Sequence, residues 1–157
     1  MKSMKLLVVG WSVAAAAMPV PSPTSVAAEI AAHGAKRTVD GLIQTKRWDA
    51  VTTSMDKGSG AWIALAPKLA PGSDAGSAED LGLSLALALP VNPRAVLAAI
   101  DAKDGPILGL SRVCGRPFIE DSEPAGYQRR ALSALSRITD QHLTAIAGRC
   151  RTALLAR

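Results

Sequence analysis

Cys114 and Cys150 are the only cysteines in the chain, and their chemistry depends on where the protein works. A reducing compartment leaves thiols that bind metals or attack carbonyls, with His142 the available base, whereas an oxidising one closes a bridge. No C-x-x-C redox spacing is present, so a structural disulfide is expected. Such a bridge stabilises by about 4 kcal/mol, mainly by restricting the unfolded chain, and pins the long loop after Cys114 to the last helix.

The other reactive residue types assemble into weaker patterns. Ser54 and Lys57 have the S-x-x-K spacing in which a lysine assists a nucleophilic serine, but no S-D-N or K-T-G element follows. Ser59, in Gly58-Ser59-Gly60, lacks the G-x-S-x-G context of a nucleophile elbow and reads as a turn. His33 and His142 are the only histidines and have no second ligand at metal spacing, so no metal site is expected. Asp140 beside His142 could orient a base, yet a helix-borne histidine is more often a surface residue. Asp74, Glu79 and Asp80 lack the alternating carboxylates of a calcium loop and suit a helix start instead. No catalytic residue, cofactor or metal is assigned.

The N-terminus sets the compartment. Lys2 and Lys5 precede an uncharged run from Leu6 to Met18, and a Pro-rich stretch leads to the small residues Ser25-Val26-Ala27. This order is that of a secretory signal, with cleavage expected near Ala27 or Ala28, residues 1–27 removed and residues 28–157 forming one domain. The run is shorter than the ~20 residues a spanning helix needs, no cysteine is placed for a lipid, and no stable membrane anchor is expected. The product is expected to be periplasmic or secreted.

Loss of Lys2 and Lys5 lowers the formal charge from +5 to +3, too small an excess to imply nucleic acid. Residues 105–157 hold eight arginines against four acidic residues, so a basic C-terminal face is expected. Trp48, Trp62, Phe118 and Tyr127 are the only aromatics after residue 27, too few for base- or sugar-stacking platforms.

The elements that must carry these residues read as helices. Val39, Leu42 and Ile43 share one face of a segment weakened by Gly41. Trp48, Val51, Thr52 and Met55 repeat at i, i+3, i+4, i+7 until Gly58, and Trp62 to Leu69 resumes that spacing, shortened by Pro67. Leu81, Leu83, Leu85, Leu87 and Leu89 alternate like a strand. Leu and Ala are unbranched at Cβ, however, and Ser77 to Asp80 supplies a cap-like start, so a helix ending at Pro90 is expected, the most buried of all. Asn92-Pro93 opens a further helix that Lys103 to Pro106 breaks. Residues 105–124 read as loop, with one helical turn between Pro106 and Val113, and a stripe from Leu132 to Leu154 reads as helix with a break at Thr139-Asp140.

The expected fold is all-α: a single-domain bundle of about five to seven short helices, one interior and Leu-rich, with a long loop tied by the disulfide. No motif ties the chain to a family. The expected function is non-enzymatic binding of a protein in the bacterial periplasm or envelope, an inhibitor or immunity-type protein being one form, with Arg116, Phe118 and Ile119 as the partner contact. Phe118 reads equally as a core residue, because the domain has so few large apolar side chains. Two rivals are a small envelope enzyme acting on cell-wall or small-molecule substrates, and a binder of anionic envelope components. The second would use Arg129, Arg130, Arg137, Arg149 and Arg151, of which Arg130 and Arg137 are expected to share a face and Arg129 and Arg151 are not.

Overall fold

The structure, a computed structural model, describes residues 20–119 and 122–156. The apolar run of the expected leader lies outside them. The regular elements among the described residues are helices, and the one β-type pairing is an isolated bridge between Asp101 and Gly109.

Helix α1 (Pro23–His33) starts with a reciprocal cap: the Ser22 hydroxyl accepts the Ser25 N–H, and the Ser25 hydroxyl accepts the Ser22 N–H. Pro23 takes the first helical position, where its missing N–H costs nothing. Val26 is fully buried, with Ala27 and Ile30 packed against the core. Helix α2 (Ala35–Gln44) buries Val39 and Leu42 as expected, but Ile43 is 41% exposed: Thr38 joins them, which centres the buried face near Leu42 and leaves Ile43 at its edge. Helix α3 (Trp48–Asp56) buries Trp48, Val51 and Met55 as their spacing predicts, with Thr52 half-buried. Two one-turn pieces follow, α4 (Gly60–Ile63) and α5 (Ala66–Leu69), then a 3-10 turn over Ala70–Gly72. Pro67 sits in the first turn of α5, which is why the chain is cut into pieces here. Gly72 is obligatory for a different reason. A Cβ there would overlap the backbone of Ala35 and Lys36, where α2 and this turn meet.

The Leu-rich segment is a helix, α6 (Ala75–Ala88), and it is the interior one. Its start lies earlier than Ser77: Asp74 caps it, and Ser77 is the reciprocal partner three residues on. Those bonds from the Ser77 hydroxyl and backbone hold the Asp74 carboxyl below its ordinary range. The two-residue alternation resolves under the helical period. Leu81, Leu85 and Leu89, four apart, are fully buried, whereas Leu83 and Leu87 fall on the other side and stay half-exposed. Helices α3, α7 (Pro93–Ala99) and α8 (Leu110–Cys114) pack around α6.

Asn92 caps α7 and Pro93 opens it, as expected. The helix ends at Ala99 rather than at Lys103, because the Asp101 N–H donates to the Leu108 carbonyl at 2.8 Å while its carboxylate accepts the Lys103 and Gly105 N–H groups. Helix α9 (Tyr127–Leu135) and α10 (Gln141–Leu155) divide where Asp140 caps the second. The seven helices of seven residues or more make the small bundle the sequence predicts, with α4, α5 and α8 as single turns between them.

Candidate interaction site

Cys114 closes α8 and Cys150 lies in the middle of α10; the two form a disulfide with Cα atoms 5.2 Å apart, and both are fully buried. The bridge pins one end of the loop that leaves α8. At the other end Tyr127 opens α9, and its hydroxyl donates to the Ala86 carbonyl of α6 at 3.0 Å. Burial pushes the Tyr127 hydroxyl well above its ordinary pKa, so it remains a donor throughout the physiological range.

Between these two posts the loop is braced by its own side chains. Arg116 has a φ of 60°, a left-handed conformation uncommon outside glycine. Its Nε donates to a Glu123 carboxylate oxygen at 2.6 Å, so an ion pair closes the loop across seven residues. Phe118 turns inward: its ring meets Tyr127 edge-on, with centroids 4.6 Å apart and planes at 74°. Arg116 and Phe118, two of the three expected contact residues, therefore hold the loop in shape. Ile119 is the third, and it projects with 72% of its surface exposed.

Ile119 overhangs a groove of about 320 Å³ between the loop and α6. Leu83, Pro117 and Ile119 supply apolar wall, and Glu79, Arg112 and Ser122 supply polar rim. Gly82 shapes the floor, because the Arg112 stem crosses α6 at 3.1 Å from where a Cβ would stand. Leu83 and Glu79 escape a reading that looks only for chemistry. The signal that finds them is the helical period, which puts both on the side of α6 away from Leu81 and Leu85.

The reactive residue types are dispersed. The Ser54 hydroxyl donates to the Ala50 carbonyl at 2.6 Å, within α3. Asp140 gives one oxygen to the His142 backbone N–H and the other to Arg94 at 2.7 Å, so both its oxygens are engaged away from the His142 ring. His33 ends α1 on the surface. Among the described residues no three His, Cys, Asp or Glu side chains gather as metal ligands, and no helix is long and apolar enough to cross a membrane. Arg129, Arg130 and Arg137 line one groove with Ser133 and Pro90. This brings Arg129 together with Arg130 and Arg137, contrary to expectation, because α9 stops at Leu135 and Arg137 stands in the turn after it, off the helical period that would separate the two. No family model matches the chain, nor does any curated protein or solved structure.

Proposed function

We propose that the chain is an exported helical protein that acts by binding another protein in the bacterial envelope, as an inhibitor or immunity-type protein does, through the groove beneath Ile119. One observation carries this reading: a loop held by a disulfide, an ion pair and an aromatic contact presents a single exposed aliphatic side chain beside an apolar groove. A lone surface isoleucine means little in itself. The bracing of residues 115–119 changes its value, because side chains and backbone already held there give up little conformational entropy when a partner covers them. The apolar centre with Glu79 and Arg112 at the rim also has the composition of a contact patch.

Export rests on the leader, and the buried disulfide is compatible with it. Cleavage after Ala27 or Ala28 would cut α1 within its span and discard Val26 and the Ser22 cap. A cut ahead of Ser22 keeps the helix whole, and Ala15-Ala16-Ala17 supplies the small residues a signal peptidase needs.

Affinity capture from periplasmic extract tests the binding, with wild type compared against Ile119→Asp. The reading requires a stoichiometric protein captured by wild type and lost by the variant while the melting temperature is unchanged. Equal capture by both, or none by wild type, sinks it. Mass spectrometry of the exported protein reads the N-terminus directly.

A further inference from the structure

A second groove, of about 330 Å³, lies against α9 and is lined by Pro90, Arg129, Arg130, Ser133 and Arg137. Its charge is unbalanced. Three arginines elsewhere are matched to carboxylates, Arg47 to Glu29, Arg94 to Asp140 and Arg116 to Glu123, and the unpaired ones among the described residues, such as Arg37 and Arg151, do not share a groove with one another as these three do. Among the described residues no carboxylate stands within ion-pair distance of Arg129, Arg130 or Arg137.

The placement of two of these cations works against the helix that bears them. Arg129 and Arg130 lie in the first turn of α9, whose start has no acidic residue and no side-chain cap, Gly126 standing at the N-cap with a φ of 67°. The helix dipole is positive at that end, so cations there destabilise and an anion is favoured. The Arg130 guanidinium is nevertheless held in place, donating to the Ala125 carbonyl. Ser133 follows one turn later on α9 and Arg137 comes from the turn just after it, and both line the same groove. An oxyanion entering here would find guanidinium donors from three arginines on the groove wall.

We infer that this groove is a binding site for a phosphate group, a tetrahedral oxyanion whose oxygens accept the paired N–H donors that arginine presents. The site is separate from the groove beneath Ile119 and does not depend on the function proposed there. The phosphate belongs either to a phospholipid headgroup or to a soluble phosphate compound; the recognising chemistry is the same.

The experiment titrates the full exported protein with inorganic phosphate at low ionic strength, following arginine Nε–H signals by NMR. In parallel it measures co-sedimentation with vesicles of phosphatidylglycerol and of phosphatidylcholine. Saturable shifts at Arg129, Arg130 and Arg137 are expected. Each arginine contributes about five-fold to affinity, so Arg129→Gln/Arg130→Gln/Arg137→Gln should lose about a hundred-fold. Arg129→Gln/Arg137→Gln, which keeps the Arg130 bond to Ala125, should lose about twenty-five-fold and guards against misfolding. Phosphate binding without vesicle binding assigns a soluble ligand, and arginine-dependent binding to phosphatidylglycerol vesicles assigns a headgroup. The inference is overturned if neither probe binds, if the variants bind as wild type, or if Arg37→Gln/Lys68→Gln/Arg151→Gln, an equal charge change elsewhere, weakens binding as much.

Discussion

The Cys114–Cys150 bridge spans 36 residues of sequence. On the chain-entropy relation, closing a loop of that length removes about 13 cal/mol/K from the unfolded state, or about 4 kcal/mol at 25 °C. For a domain of this size each kcal/mol moves the midpoint by about 3 °C. Reduction of the wild type, or Cys114→Ala/Cys150→Ala, should therefore lower the melting temperature by about 12 °C in a circular-dichroism scan. Both sulfurs are buried between α8 and α10, so the alanine variant also opens a small cavity and should melt slightly below the reduced protein. The loss should not be spread evenly. Amides of residues 115–119 should exchange faster than those of α6 in the reduced protein, because the loop loses one post while α6 keeps its packing. A fall below about 3 °C would refute the reasoning, showing that the unfolded chain is already compact enough for the bridge to restrict little.

Leu85→Ala removes a fully buried side chain from the interior helix and should cost about 2–5 kcal/mol in chemical denaturation; a loss below 1 would displace α6 from the centre of the core. Gly72→Ala should destabilise by at least about 2 kcal/mol, because α2 and the 3-10 turn must part to admit the methyl group, and a neutral melt would contradict that close approach. Asp56 has a buried carboxylate oxygen with no hydrogen-bond partner, and burial raises its carboxyl above the ordinary 3.8. The folded protein thus holds a proton that the unfolded chain gives up first, stability falls as pH rises through that interval, and the full penalty is present at neutral pH. Asp56→Asn should then stabilise at pH 7 by no more than about 1 kcal/mol, since the residue is only half-buried, and should flatten the melting profile between pH 4 and 7. Parallel pH profiles for the two proteins would count against this.

Where sequence and structure agree, the cause is local. Asn92-Pro93 and Asp140 start helices through their own backbone and side-chain geometry, and Leu81 to Leu89 are unbranched residues that favour a helix despite a two-residue alternation. The disulfide is legible from two cysteines without redox spacing, together with an N-terminal pattern that reads as an export signal. What stayed hidden depends on contacts distant in sequence. Helix α1 is not legible in Ser22 to Ala28, whose small residues read as a cleavage region, and the packing of Val26 depends on residues distant in sequence. The early end of α7 depends on Leu108, which the residues before Asp101 do not encode. At the candidate site the loop is legible and so are both readings of Phe118, but the choice between them depends on Tyr127, and the opposite wall belongs to α6.

Helix α6 does two jobs on opposite sides, and this bears on how the protein could change over evolutionary time. Leu81, Leu85 and Leu89 face the core, while Glu79 and Leu83 face the groove. Substitutions at 79 and 83 reshape the groove at little cost in folding, so they are open to drift. Substitutions at 81, 85 and 89 are closed to it by the packing they would disrupt. On the binding function proposed above, a surface built on the outer face of a core helix would track a changing partner while its scaffold stays constant.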